Sequence, residues 1–155
     1  MNEQIQTLAN LLTHENLKVS VAESCTAGAL ASVLTSISGA SGYFDRGYIV
    51  YSNRAKTEVL NVDPQVIGDK GAVSEEVALE MVKGVVNQSN SDVAVSITGV
   101  AGPTGGTKDK PVGTVCFGFC VNQKLSTSTQ LFQGDRAEII EQSVRFSVNH
   151  LISLF

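Results

Sequence analysis

An apolar, β-branched run (Val19, Val21) passes through Ala22-Glu23-Ser24-Cys25-Thr26-Ala27-Gly28 into a helical pattern carried by Leu30, Val33, Leu34 and Ile37. A strand period that gives way to a helix period across a few small hydroxyl and thiol residues predicts a tight strand-to-helix turn, the unit on which α/β proteins place their chemistry. Two roles are open to its hydroxyls. Backbone N–H groups at a helix start lack intrahelical partners and sit at the positive end of the helix dipole, so they could hold a phosphate or a developing oxyanion within reach of Ser24. Equally, Ser24 or Thr26 could cap the first helical turn and do nothing else.

The rest of the chain narrows the setting. Its 155 residues fit one domain, 1–155, and 43% hydrophobic against 17% charged residues is a compact globular composition with no disordered or coiled-coil segment. The net charge of −4 and the scattered Lys and Arg argue against a nucleic-acid groove or an anionic membrane surface. No secretion signal and no run of about 18 apolar residues is visible, so a cytoplasmic protein with a small-molecule partner is expected, without nucleic acid or membrane, as a homo-oligomer. Cys116 and Cys120, four residues apart on one predicted strand, would lie roughly 13 Å apart, too far for a disulfide. With Cys25 they read as small buried hydrophobes.

In chain order, helical spacing over 3–13 is followed by a strand over 17–22, the Ser24 turn, and a helix to about Ile37. A strand over 47–52 leads into a short helix from Asn53 to about Leu60, and Asp63-Pro64 with Gly68-Asp69-Lys70-Gly71 reads as a connecting loop. Ser74 is the expected N-cap of a helix to about Gln88, and 92–97 reads as a strand buried on both faces. Residues 98–113 hold Gly99, Gly102, Gly105, Gly106 and Gly113, a glycine content that lets backbone amides approach a ligand closely. An antiparallel hairpin over 112–132 makes the sheet mixed, and Asp135 with Glu138 has capping-box spacing for a last helix whose buried face is Ile140, Val144, Val148, Leu151, Ile152 and Phe155. The runs 19–24 and 93–98 each end an apolar strand in a hydroxyl, as two strands delivering loops to one edge of a sheet would.

Several chemistries find no support. His14 and His150 sit in terminal helices, far from any relay or histidine metal site, and read as surface or packing residues. The glycine loop matches neither the Walker phosphate loop nor the dinucleotide fingerprint, and no arginine follows Cys25 as a cysteine phosphatase would need. What remains is a serine with a lysine as its base. Burial lowers a lysine's pKa enough for it to take a serine proton, and Lys56 would point toward the Ser24 turn if the two strands are neighbours. A solvated surface lysine is the alternative, and Lys108 and Lys110 read as solvated or as phosphate neighbours.

Six blocks, Ala-Glu-Ser-Cys-Thr-Ala-Gly (22–28), Tyr-Ser-Asn-Arg-Ala-Lys (51–56), Gly-Ala-Val-Ser (71–74), Thr-Gly-Val-Ala-Gly-Pro-Thr-Gly-Gly (98–106), Lys-Pro-Val-Gly-Thr-Val (110–115) and Gly-Asp-Arg (134–136), occur in this order over nearly the whole chain. Together they resemble the CinA C-terminal domain family. The resemblance implies an α/β fold, a three-layer α/β/α sandwich with a mixed, mainly parallel sheet. It further implies a metal-free, cofactor-free serine amidohydrolase whose stand-alone relatives convert nicotinamide mononucleotide to nicotinate mononucleotide and ammonia. By the same resemblance Ser24 is the nucleophile and Lys56 the general base, with Tyr51 beside them. Thr26, Gly28, Thr98, Gly99, Gly102, Gly105, Gly106 and Arg136 are then substrate-binding, with the amides of the Thr26 turn as oxyanion donors. The family pattern reads Ser-Cys-Thr-Gly-Gly where this chain has Ala27, which in a helical conformation costs nothing. A catalytically weak pyridine-nucleotide-binding or regulatory module is the alternative function. A structural partner for a separate domain is disfavoured, since no linker flanks the expected fold.

Overall fold

Alternating strand and helix periods fold into three layers in the computed structural model, which describes residues 1–155. The chain runs α1 (Asn2–His14), β1 (Val19–Glu23), α2 (Ala29–Leu34), β2 (Phe44–Ile49), α3 (Asn53–Leu60), α4 (Pro64–Lys70), α5 (Glu75–Ser89), β3 (Val93–Gly99), β4 (Thr114–Val121), β5 (Lys124–Leu131) and α6 (Arg136–Ser153). The five strands lie in the order β2-β1-β3-β4-β5. β1 pairs in parallel with β2 and β3, whereas β4 and β5 add an antiparallel hairpin to the β3 side. The echo between 19–24 and 93–98 is an aligned pair: Val19 faces Val93, and the register holds to Glu23 opposite Ile97.

The strand period of two sorts the core. Val19, Val21, Val93, Val95, Ile97, Val115, Phe117 and Phe119 face α1, α2 and α6. Phe117 and Phe146 meet there at a ring-centroid distance of 4.6 Å. On the other face Ala22, Ala94 and Cys120 cluster with Val50, which follows β2, and with Leu60 of α3, Ile67 of α4 and Met81 and Val82 of α5. Small residues on that face bring α5 close: the Ser96 hydroxyl donates to the Ala78 carbonyl at 2.6 Å, and a Cβ added to Gly118 would lie 2.5 Å from the same oxygen. All three cysteines are buried and unpaired. His14 stands at the surface beside Glu15, and His150 packs on Phe119 and Phe146. No helix is long and apolar enough to cross a membrane.

Four expectations are corrected. The connecting segment 63–71 contains a helix, α4, whose start is set by the Asp63 side chain accepting from the Gln65 amide and by Pro64 in the first turn. α2 is six residues long, begins at Ala29 and ends at Leu34 instead of Ile37. β2 lies three residues earlier than expected because its edge position leaves it half exposed, without the continuous apolar run that marks a buried strand. On α6 the buried positions are Ile139, Ser143, Val144, Ser147, Val148 and Leu151; Ile140 and Ile152 are half-buried and Phe155 is 42% exposed. Serines at 143 and 147 fit there because each hydroxyl bonds the carbonyl four residues back.

Candidate active site

From β1 the chain leaves toward β2, and from β3 it leaves toward β4, so a crevice opens between the carboxyl ends of these neighbouring parallel strands. The loops after β1, β2 and β3 and the start of α6 all border it. A cleft of about 340 Å³ results, lined by Ser24, Tyr51, Asn53, Lys56, Thr98 and Arg136 among others. Cys25, Ala72, Val73, Gly99, Val100, Ala101, Gly102, Thr104 and Gly105 complete the lining, which contains no carboxylate.

Ser24 and Lys56 meet at its floor. Ser52 caps α3 by accepting from the Ala55 amide, and the helix turns Lys56 inward to 1% exposure. Its Nζ lies 3.0 Å from Ser24 Oγ, 3.2 Å from the Val50 carbonyl oxygen and 3.1 Å from the Tyr51 carbonyl oxygen. No carboxylate pairs with it, and burial pushes its pKa down from 10.5, opposed by the nearby Cys25. A neutral amine has two N–H groups and one lone pair. In the structure Nζ donates to both carbonyls and to Ser24 Oγ, whose own hydroxyl donates to the Tyr51 carbonyl; loss of one proton from Nζ would leave a lone pair 3.0 Å from that hydroxyl, the disposition a general base requires. Burial raises the neighbouring Cys25 thiol to about 11, so it stays protonated and unreactive at neutral pH.

The remaining expected residues divide. Tyr51 reaches the pair through its backbone: Ser24 Oγ lies 3.2 Å from its carbonyl oxygen, while the ring is 56% exposed and its hydroxyl accepts from Arg136 Nη2 at 3.0 Å. Arg136 Nη1 donates to the Gly102 carbonyl at 2.8 Å, so the guanidinium bridges α6, the glycine loop and Tyr51 across one end of the cleft. The start of α6 already carries the Asp135 and Glu138 carboxylates of a capping box, which leaves the guanidinium rather than the helix amides to meet an anion. Thr98 lines the cleft with its hydroxyl committed to the Ala72 carbonyl at 2.9 Å, tying the 71–74 turn to β3. Gly99, Gly102 and Gly105 line it too, whereas Thr26, Gly28 and Gly106 do not. Lys110 reaches the Lys70 carbonyl instead of open solvent.

The turn after β1 differs from both sequence readings. Neither Ser24 nor Thr26 caps α2, whose N-cap is Gly28 in a left-handed conformation with no side-chain bond. The free amides of α2 are taken by Glu23, whose Oε1 accepts from Leu30 at 2.9 Å and Oε2 from Ala31 at 3.0 Å. A substrate anion therefore has no place there. The one sequence signal for this was an acidic residue ending the strand ahead of the turn. Ala27 is not helical but left-handed, φ +47, a conformation that costs an L-residue about 1–2 kcal/mol. Thr26 Oγ1 is buried without a partner, and the amides of Cys25 and Thr26 bond no backbone carbonyl.

The family model of the CinA C-terminal domain matches residues 1–155. The chain is 46% identical to the nicotinamide-nucleotide amidohydrolase PncC of Enterobacter agglomerans over 88% of its own length and 84% of that protein. It is 47% identical to a CinA-like protein of Chlorobium limicola over 86% of its length, yet spans only 32% of that relative, and about a third of several other curated relatives. Among solved structures, the CinA-superfamily protein ECK1530/EC0983 of Escherichia coli superposes with a TM-score of 0.95 at 34% identity, covering 98% of this chain and 88% of that one. The competence/damage inducible protein CihA of Agrobacterium tumefaciens gives 0.90 at 38%, covering 97% and 95%.

Proposed function

Because the chain belongs to the CinA C-terminal domain family, we propose that its cleft hydrolyses the carboxamide of nicotinamide mononucleotide, giving nicotinate mononucleotide and ammonia. The observation that carries this is the buried Lys56 Nζ, without a carboxylate partner, 3.0 Å from Ser24 Oγ. The name of the Enterobacter relative supplies the substrate class.

Neutral Lys56 takes the Ser24 proton as Oγ attacks the carboxamide carbon. The oxyanion that forms is met by the Cys25 amide, which lines the cleft, bonds no backbone carbonyl and is fixed before the reaction. Lys56 returns the proton to the departing nitrogen, which leaves as ammonia while the nicotinoyl group stays esterified to Ser24. Water then attacks this ester with Lys56 again as base, releasing the carboxylate and restoring the hydroxyl. The phosphate, remote from the reacting amide, pairs with Arg136, so its binding energy positions the carboxamide. A cleft without carboxylates suits such an anionic substrate.

Incubation with nicotinamide mononucleotide should release one ammonia per nucleotide consumed, with none from Ser24→Ala. Ammonia no higher than in that control, with the nucleotide still bound, would leave a binding module in place of an enzyme.

A further inference from the structure

The buried carboxylate of Glu23 has no part in the chemistry above, although it adjoins the nucleophile in sequence. It is 0% exposed, and no lysine or arginine pairs with it; its partners are the Leu30 and Ala31 amides. Burying a carboxylate without a counter-cation is expensive unless hydrogen bonds replace its water. The left-handed Gly28 at the start of α2, φ +100, cannot present a local side-chain cap, so these amides are met from across the turn. What Glu23 does that a local cap could not is to span the turn. Its side chain, projecting to the α1, α2 and α6 face like Val19 and Val21, clamps the far end of residues 24–28, while its strand holds the near end.

The backbone of Glu23 reaches the other partner. Its carbonyl accepts from the Val50 amide at 2.9 Å, and the Val50 carbonyl accepts from Lys56 Nζ. The next amide, that of Ser24, donates to the Ile97 carbonyl at 3.0 Å. One residue is thus bonded to the segment that holds the base and to the helix that terminates the nucleophile's turn, a turn containing the left-handed Ala27 and Gly28.

We propose that Glu23 is a positioning residue: its carboxylate fixes the Ser24–Gly28 turn so that Ser24 Oγ faces Lys56 and the Cys25 amide faces the oxyanion. The proposal rests on the serine-lysine reading above for its chemistry. It implies that loosening the turn slows the attack by Ser24 while leaving nucleotide binding, which depends on Arg136 and the glycine loop, nearly intact. A displacement of about 1 Å at a reacting group lowers a rate about a hundredfold.

The test uses Glu23→Asp, Glu23→Gln and Glu23→Ala. Aspartate keeps both acceptor oxygens on a shorter arm, glutamine keeps one acceptor and sets an N–H group against an amide, and alanine keeps none. Cooperative thermal melting identifies the variants that fold. Two rates are then measured: ammonia from nicotinamide mononucleotide, resolved into kcat and KM, and acetylation of Ser24 by p-nitrophenyl acetate, followed by the mass of the Ser24 peptide. In that second reaction Ser24 Oγ bonds the acetyl carbon, p-nitrophenolate leaves, and Lys56 takes the hydroxyl proton. The expected result is a drop of about tenfold or more in kcat and in the acetylation rate, with KM within about threefold of the parent. A folded variant that retains both parental rates overturns the proposal. So does a rise in KM with kcat unchanged, or failure of all three variants to fold, which would make the carboxylate a requirement of the fold alone. A parent acetylated on Ser24 that releases no ammonia sinks the amidase reading, and the acetylation rates still decide the role of Glu23.

Discussion

In the proposed mechanism the protonation state of Lys56 controls the site, and its pH dependence follows from burial. In the unfolded chain the amine holds its proton up to about 10.5; in the folded chain it releases it at a lower pH. Between those values the unfolded state binds more protons, so the linkage slope is positive and stability rises with pH across that window, the cost of the buried charge being fully present below it. Activity follows the same ionisation: kcat/KM should climb with pH to a plateau whose midpoint lies below 10.5. A rate that stays flat from the acid limit of the folded state up to pH 10.5 would contradict a lysine base. Ala27 carries a second prediction. Glycine adopts φ +47 without steric cost but loses more entropy on folding, so Ala27→Gly should stabilise by about 1 kcal/mol and raise Tm by roughly 2–4 °C. A lower Tm in a calorimetric scan would sink it. Sequence alone pointed to Ser24 and Lys56 through residue type and order, but the conformation of Ala27 and the reach of Glu23 were out of its range. Both depend on where α2 starts, and a turn of small residues looks the same whether it is helical or left-handed.

Among the elements, α3 carries Lys56, the proposed base, and α5 packs against α3. A Cβ added to Gly84 of α5 would lie 2.3 Å from the Leu60 carbonyl oxygen at the end of α3. Alanine gains about 1 kcal/mol over glycine in helix propensity, but a backbone oxygen cannot rotate away, and forced separation of packed elements costs about 1–3 kcal/mol. Sterics win. Gly84→Ala should lower Tm and, by moving α3 with Lys56, reduce ammonia release more than it raises KM. An unchanged melting temperature and rate would show that the contact between α3 and α5 is slack. Most elements were legible because their apolar positions keep one period over many residues: α5 from its Ser74 cap, β3 from its unbroken apolar run, α6 from its capping box. α4 escaped notice although Asp63-Pro64 is an N-cap followed by an N1 proline, because only Ile67 of its seven residues is buried and no apolar stripe announces it. β2 was displaced for a similar reason, being an edge strand whose pattern is too polar to mark its limits.

At the level of the whole molecule, the sheet order brings together residues far apart in sequence. Ser24 and Lys56 meet because β1 and β2 are parallel neighbours, and Arg136 reaches Tyr51 because α6 returns over the end of the sheet. The layered α/β class could be read from the alternation of periods and from the six sequence blocks, whereas the cleft needed the topology. Whether Ser24 and Lys56 act as one unit is the central claim, and one double-mutant cycle decides it. Specificity constants for ammonia release from nicotinamide mononucleotide are measured for the parent, Ser24→Ala, Lys56→Met and the double variant, methionine being an uncharged side chain that fills the lysine's space. Each single change should lower the constant by about a thousandfold or more, and the double variant should be no worse than the weaker single one, because neither group functions without the other. If the two losses instead multiply, the serine and the lysine act independently, and the account of this cleft as a serine-lysine amidase is wrong.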